Sequence, residues 1–144
     1  MAYRYTVQMN EKSARAVGIG LPISMKQSIE ICKWIRGKPV EKAKGMLVEV
    51  MGMKRPVPYT RFTGNTGHRK GPLATGRYPI NACKHILHII NSAAANAQAK
   101  GLGADLTLSQ VCAQDGGNSY RFGRHRGRKA KRTHIEVVVE EKKK

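Results

Sequence analysis

Residues 115–134 read DGGNSYRFGRHRGRKAKRTH, a basic, glycine-punctuated stretch that lies between two apolar ones. From Asn118 to His134 it contains seven Arg or Lys residues and no carboxylate. Apolar residues precede it between positions 106 and 113, and the β-branched run Ile135–Val139 follows it. Two strand-like arms around such a middle predict an extended antiparallel hairpin over residues 111–139. Arms of about ten to twelve residues would reach about 35–40 Å, so we expect the tip to protrude from the body.

The composition predicts a single domain that binds a polyanion. The chain has 144 residues, with 27 Lys and Arg against 9 Asp and Glu, and a formal net charge of +18. Nucleic acid is the favoured partner, because each neutralised phosphate releases counterions. An anionic membrane surface is the competing partner, but the cations lie mainly in predicted loops, and no apolar run is long enough to predict membrane insertion. Three widely spaced cysteines (Cys32, Cys83 and Cys112) predict reduced thiols in a cytoplasmic protein.

The first half of the chain predicts an arm, a strand and two helices. Residues 1–16 lack a helical apolar stripe and are predicted to be an extended arm that lies on a surface other than the protein's own core. The alternation of Val17, Ile19, Leu21 and Ile23 with Gly and Pro predicts a first strand. Two helical faces follow. The predicted buried residues are Met25, Ile29, Ile31, Cys32 and Ile35 in the first helix, and Val40, Ala43, Met46, Leu47 and Val50 in the second.

The second half predicts one long helix and the hairpin arms. The helix spans about residues 79–100, and its predicted apolar half contains Ile80, Cys83, Ile86, Leu87, Ile90, Ala93, Ala94 and Ala97. In the first hairpin arm the apolar phase slips, which predicts a bulge near Ser109 or Gln110. The tail at 142–144 is predicted to be disordered. Together these elements predict an α+β domain, in which three helices pack on a small antiparallel sheet of about three strands.

Between the second and third helices, residues 52–78 form a long basic insert. This insert has six Lys or Arg, no acid, five Gly, three Pro and three aromatic residues. A loop of this length is expected to be functional or disordered. Because aromatic residues lie among its cations, we favour a functional loop that becomes ordered on RNA, where rings stack on unpaired bases. A solvated flexible insert is the alternative.

The chain shows no pattern that predicts catalysis or metal binding. Most of the nine acids occupy positions expected to be surface charges. Residues 71–77 have the glycine spacing of a phosphate loop but lack its Lys-Ser/Thr pair. His85 and His88 share a helix face, but no further ligands are placed to complete a zinc site. We therefore expect no metal, no cofactor and no enzymatic activity.

The candidate RNA-binding residues are the cations of the arm, the helix surfaces, the insert and the hairpin tip. Arginine predominates at the tip, where its planar fork suits phosphate contacts and stacking. The candidates for base stacking are Tyr59, Phe62, Tyr120 and Phe122. The candidates for RNA contact are Arg4, Lys12, Arg15, Lys26, Lys54, Arg55, Arg61, His68, Arg69, Lys70, Arg77, Lys84, His88, Arg121, Arg124, Arg126, Arg128, Lys129, Lys131 and Arg132.

Five segments, in order, give the chain a resemblance to one protein family over nearly its whole length. They are LPISMKQSIEICKWIRGKPVEKAK (21–44), KRPVPYTRF (54–62), GHRKG with GRYP (67–79), NSAAANAQAKGL (91–102) and KRTHIEVVVEE (131–141). The chain resembles the universal large-subunit ribosomal proteins numbered twenty-two in bacteria and seventeen in eukaryotes, in their archaeal form. Residues 52–78 match an insert of the archaeal and eukaryotic members that bacterial members lack.

The resemblance implies a cytoplasmic, non-catalytic protein that binds large-subunit rRNA, adjoins other ribosomal proteins and supports assembly of the subunit. It also implies that the hairpin tip, about residues 118–131, helps to form the wall of the nascent-polypeptide exit tunnel. The implied tip residues are Arg121, Phe122, Gly123, Arg124, His125 and Arg126. The tip is shorter and more arginine-rich than in many members, so the resemblance implies the hairpin but not which side chain faces the tunnel.

Three other functions make different predictions. A free-standing basic nucleic-acid-binding protein, such as a chromatin or mRNA-packaging factor, would sediment with DNA or mRNA. An RNA-modifying enzyme would need a cofactor pocket, and none is evident in the sequence. A cationic membrane-active protein would permeabilise anionic vesicles.

Overall fold

A three-stranded antiparallel sheet forms the centre of the fold. The computed structural model describes residues 3–7, 10–117 and 119–141. Its sheet has the order β1 (Ser13–Leu21), β7 (Thr133–Glu141), β4 (Leu106–Asp115), so the strand that comes last in the chain lies in the middle. In β7, Ile135, Val137 and Val139 are fully buried in the hydrophobic core.

Three helices cover one face of this sheet. They are α1 (Met25–Ile35), α2 (Val40–Met51) and α3 (Ile80–Ala99). Helix α3 packs on β1 and β7, α1 packs on β4, and α2 packs mainly on α3. The predicted α+β architecture, with three helices on a three-stranded antiparallel sheet, is confirmed.

The remaining elements are short and belong to the two basic segments. Within the insert, β2 (Val57–Pro58) pairs with β3 (Gly76–Arg77). Within the hairpin, β5 (Ser119–Tyr120) pairs with β6 (Lys129–Ala130), and a 3-10 turn at Gly123–His125 lies between them.

The arms of the hairpin are β4 and β7 themselves. Their register runs from Leu106 opposite Glu141 to Asp115 opposite Thr133, with a shift between Leu108 and Gln110. The predicted bulge is therefore confirmed. The central strand β7 is largely buried, whereas only Leu106, Leu108 and Val111 of the edge strand β4 are buried. The fully exposed part of the hairpin is the run from residue 120 to residue 129. The length over which the hairpin protrudes stays a prediction.

The first strand begins at Ser13, four residues earlier than the predicted Val17, so the extended arm ends before residue 13. The side of the strand that faces the helices carries Ala14 and Ala16, which are buried, whereas Ile19 is 58% exposed. Small residues are required there because α3 lies close. A Cβ atom on Gly18 would come within 2.5 Å of Ile89 Cδ1.

The part of the arm that the structure describes, residues 3–7, lies against β7 and β4 of the protein's own sheet and outside the hydrophobic core. The backbone N–H of Thr6 donates to Glu136 Oε1 (3.2 Å) and Oε2 (3.1 Å), and its hydroxyl donates to Oε2 (2.9 Å). The Tyr3 hydroxyl donates to Gln114 Oε1 at 2.9 Å. The Arg15 guanidinium carbon lies 3.8 Å from the centre of the Tyr5 ring.

The predicted helix faces are confirmed for α2 and partly confirmed for α1 and α3. All five predicted residues of α2 are buried. In α1, Met25 is 37% exposed and Ile29 is half-buried, while Ser28 and Glu30 are buried instead. In α3, Ile80 is 37% exposed and Leu87 is half-buried, while Ala82 and Ile89 join the core. The predicted tail at 142–144 lies outside the described residues.

Candidate nucleic-acid interface

The predicted RNA-contacting side chains lie at the surface. All of them are exposed except Arg15, which is half-buried. Within residues 3–7, 10–117 and 119–141 there are two ion pairs, Lys44–Glu41 (2.8 Å) and Arg55–Glu49 (3.6 Å). The positive charge is therefore largely uncompensated within the folded chain, and it is available to an anionic partner.

The hairpin tip has a defined backbone that carries exposed cations. Ser119 pairs with Ala130 and Tyr120 with Lys129, and the N–H of Arg121 donates to the carbonyl of Arg128 at 2.9 Å. Residues 121–129 are all exposed. The turn depends on Gly123, whose φ of +68° lies in the left-handed region that favours glycine.

Two predicted stacking residues stand out from this tip. Phe122 is 95% exposed and Tyr120 is 64% exposed. The Lys129 ammonium lies 5.7 Å from the centre of the Tyr120 ring. Both rings present most of their surface to solvent, so they are suitably placed for stacking on a base.

The insert has an internal framework and is not a free loop. Val57 pairs with Arg77, and His68 bridges to Thr75. The N–H of Tyr59 donates to the Thr75 carbonyl at 3.1 Å, and the Thr75 hydroxyl returns a bond to the Tyr59 carbonyl at 2.8 Å. Val57 is buried in the hydrophobic core, and Gly76 is buried within the insert, next to Val57 and Pro56. The cations at positions 61, 69, 70 and 77 are exposed on the surface of this paired segment.

Tyr59 is not available for stacking on a base, so that prediction is wrong. Its ring is 6% exposed and belongs to the hydrophobic core. Burial raises the pKa of Tyr59 to about 12. Within the described part of the chain, its buried hydroxyl has no hydrogen-bond partner. The sequence alone could not separate Tyr59 from its neighbours, because its burial depends on contacts with distant elements.

Phe62 is half-buried and lies among cations. The Arg61 guanidinium carbon is 5.3 Å and the Lys26 ammonium 5.8 Å from the centre of its ring. On neighbouring surfaces, the Arg69 guanidinium carbon lies 5.1 Å from the Tyr78 ring, and that of Arg55 lies 5.3 Å from the Trp34 ring. These aromatic contacts orient cations whose charged groups remain exposed.

Two buried glutamates hold the insert and the N-terminal segment, and sequence reasoning missed both of them. Glu30 is 1% exposed and Glu136 is 0% exposed, whereas most acids were expected to be surface charges. Glu30 Oε1 accepts N–H bonds from Arg61 (2.7 Å) and Phe62 (2.8 Å). Its Oε2 accepts from the N–H (3.2 Å) and the hydroxyl (3.3 Å) of Thr60. The only sequence signal was an acid between Ile29 and Ile31 in an apolar helix segment.

The hydrogen bonds keep Glu30 ionised in spite of its burial. Burial by itself raises the pKa of Glu30, but the N–H bonds from Phe62, Arg61 and Thr60 outweigh it and hold the pKa below 4.5. The interior therefore carries a negative charge directly beneath the basic insert.

The remaining predicted residues lie on helix α3 and in the core. Lys84 and His88 are exposed and His85 is half-buried. No cluster of three or more His, Cys, Asp or Glu residues that could hold a metal ion occurs in the described ranges.

Cys32 and Cys83 are buried, which raises the pKa of each thiol to about 12. In that same part of the chain, every helix is too short or too polar to cross a membrane.

Comparison with known proteins places the chain among ribosomal proteins. The family described as ribosomal protein L22p/L17e matches residues 16–140. A similar protein is the large ribosomal subunit protein uL22 of Methanocaldococcus jannaschii, which is 41% identical over 147 residues, covering 96% of this chain and 94% of the relative. The uL22 proteins of Archaeoglobus fulgidus (38%; 96% and 94% covered) and Staphylothermus marinus (34%; 96% and 96% covered) are also similar. With exposed basic segments on an α+β body and a family match across most of its length, the chain belongs to the ribosomal protein L22p/L17e family.

Proposed function

We propose that this protein is a structural component of the large ribosomal subunit, where it binds large-subunit rRNA in the cytoplasm and supports assembly. The observation that carries the proposal is the presence of two exposed, acid-free basic segments, the insert at 52–78 and the tip near 119–132, on one folded body. Membership of the family and the uL22 relatives support the same function.

Phosphate contacts supply most of the affinity in this proposal, and single-stranded bases supply specificity. The cations of the two segments contact phosphates. Phe62 and Tyr120 stack on unpaired bases. Neighbouring ribosomal proteins contact the surfaces of the body that carry few cations.

Sedimentation tests the proposal directly. A lysate of the source organism is run through a high-salt gradient, and each fraction is probed for this chain. We expect stoichiometric co-migration with large subunits. Recovery only in light fractions, with large subunits intact and free of the chain, would contradict the proposal and would favour a free-standing nucleic-acid-binding protein.

We further propose that the tip residues Arg121 to Arg126 contact the nascent polypeptide in the exit tunnel. The support is their exposure and the projection of Phe122, which is 95% exposed. A photo-crosslinking amino acid placed at Phe122 should label the nascent chain in stalled ribosomes, and the same probe at Phe62 should label RNA. A nascent chain labelled equally from both positions, or from neither, would contradict the assignment of the tip.

A further inference from the structure

The turn Thr60–Phe62 is held by an anion that the protein itself supplies. Three consecutive backbone N–H groups point at the Glu30 carboxylate, at 3.2, 2.7 and 2.8 Å, and the Thr60 hydroxyl adds a fourth bond at 3.3 Å. Successive N–H groups of this kind form a concavity that binds anions, including phosphate. Here Glu30 occupies it, so the phosphates of an RNA partner are left to the side chains.

The side of helix α1 that carries Glu30 also orients the side chains above the turn. Lys26, Glu30 and Lys33 follow one another at helical spacing, so they lie on one side of α1. The Lys33 ammonium donates to Thr60 Oγ1 at 2.9 Å, and the Lys26 ammonium lies 5.8 Å from the Phe62 ring. This side of α1 therefore binds the turn at Thr60, and it places Lys26 beside Arg61 and Phe62 in one patch of surface.

From this geometry we propose that Glu30 is a positioning residue for RNA recognition. It does not touch RNA. It holds the turn in a single conformation, and it thereby presents Arg61 and Phe62, with Lys26, in the arrangement that the RNA binds. This inference rests on the proposed function, because it assigns a role within the same rRNA interface.

The physical reason is pre-organisation. A loop that is already fixed in its bound conformation does not lose conformational entropy on binding. Without an anion in the concavity, three neighbouring N–H donors would be left without partners, and the turn would relax toward water or toward an RNA phosphate. Either change would move Arg61 and Phe62 away from their present positions.

A double-mutant cycle on the full-length chain tests this role. The probe is deproteinised large-subunit rRNA in a filter-binding assay. Glu30→Gln keeps the size of the side chain but replaces one acceptor by an amide that faces N–H donors. We expect about three- to tenfold weaker binding, since a few side chains must now be ordered on binding. Arg61→Gln should weaken binding in the wild-type background and have much less effect in the Glu30→Gln background.

Two matched variants separate positioning from general stability. Arg124→Gln, at the hairpin tip, should weaken binding equally in both backgrounds, because Glu30 does not act on it. Glu136→Gln removes the other buried carboxylate, which holds residue Thr6. Amide hydrogen exchange at Thr60, Arg61 and Phe62 should accelerate in Glu30→Gln and stay unchanged in Glu136→Gln.

The outcomes distinguish the two proposals. If Arg61→Gln and Arg124→Gln weaken binding but Glu30→Gln does not couple to Arg61, the positioning role is wrong and the proposed function stands. If neither arginine variant weakens binding, the proposed function itself fails. If Glu30→Gln does not fold, Thr60→Val takes its place in the cycle. It removes the hydroxyl bond to the carboxylate (3.3 Å) and the bond from the Lys33 ammonium (2.9 Å), and it leaves the carboxylate intact. Absence of coupling to Arg61 would again overturn the role.

Discussion

Two buried acids in this chain tie surface segments to its folded body. Glu30 holds the insert, and Glu136 holds the described part of the N-terminal segment through Thr6. Each carboxylate is fully buried, and each accepts bonds on both oxygens. A buried carboxylate without donors would be strongly destabilising, so each glutamate ties its segment to the body.

The ionisation of Glu30 predicts a specific dependence of stability on pH. Its pKa is lowered on folding, so its contribution is fully present above the unfolded value of 4.5 and is lost as the pH falls through the lower, folded value. At neutral pH, Glu30→Gln should destabilise the protein by about 1.5–3 kcal/mol, the range for a hydrogen bond to a charged group. The difference in Tm between wild type and variant should shrink below pH 4.5. A difference that persists unchanged in strong acid would contradict this.

The buried side chain of Tyr59 predicts how two substitutions change stability. Its ring is buried while its hydroxyl lacks a partner within the described residues, so Tyr59→Phe should leave stability unchanged or raise it by about 1 kcal/mol. Tyr59→Ala removes the ring and should destabilise by about 3–5 kcal/mol. Chemical denaturation of the three proteins measures both effects. RNA binding by Tyr59→Phe should equal that of the wild type, and a large drop in its stability would show that the hydroxyl has a partner.

The positions of single residues were the least predictable from sequence. Phe122 and Tyr59 both lie in basic segments, yet one is 95% and the other 6% exposed. The difference arises because residues 57–59 pair with residues 75–77 and pack against the body, whereas the tip has no such neighbour among the described residues. The burial of Glu30 follows from the same packing. The local sequence shows that Glu30 is charged, but it does not show that the insert packs over it.

Secondary-structure elements were more predictable where their signal is local. The bulge in β4 followed from a slip in apolar phase, and the buried face of α2 followed from its helical period. The start of β1 was not predictable from local sequence, because Ala14 and Ala16 carry little hydrophobic signal. Their small size is explained only by the packing of α3, a helix that lies far along the chain.

Replacing glycine by alanine should have opposite effects on stability at two positions, because Gly18 lies in the close contact between β1 and α3 and Gly45 lies in open space. Gly18→Ala places a Cβ within 2.5 Å of Ile89 Cδ1 and 2.9 Å of Leu21 Cδ1, and it should destabilise by about 1–3 kcal/mol. Gly45→Ala, at an exposed position of α2 with no atom within 4 Å, should instead stabilise by about 0.8–1.0 kcal/mol through helix propensity. Thermal unfolding measures both.

A second substitution checks the cause. Ile89→Val removes the Cδ1 atom that the new methyl group would meet, and alone it should destabilise by about 0.5–1.5 kcal/mol. In the double variant with Gly18→Ala, the total destabilisation should be smaller than the sum of the two single effects. Additive effects would show that the contact with Ile89 is not what excludes a side chain at position 18.

The net charge was the most predictable property of the protein. The sequence alone indicates a polyanionic partner, and the fold shows how the cations remain available, with two ion pairs within residues 3–7, 10–117 and 119–141. The N-terminal segment, the insert and the tip all extend from one α+β body. This body supplies the rigid support, and the basic segments supply the contacts.

This organisation predicts the salt dependence of RNA binding. Arg121→Gln, Arg124→Gln and Arg128→Gln should each weaken binding, and each should lower the slope of log K against log salt by roughly 0.7–0.9 for every phosphate that the variant no longer neutralises. Lys42→Gln, an exposed position on α2 outside the two segments, is the matched control and should leave the slope unchanged. Slopes that do not change in the tip variants would argue against direct phosphate contact.

The central place of β7 has a consequence for how the chain folds during synthesis. Neither β1 nor β4 has a partner in the sheet until β7 has been synthesised. Ser13, for example, pairs with Glu140. Contacts so distant in sequence form late, because the entropy of closing the loop must be overcome first. Helices can form as the chain emerges, while the edge of β1 stays open to association with other chains. Synthesis that stops before Thr133 therefore yields a fragment with no central sheet, however many of its helices have formed.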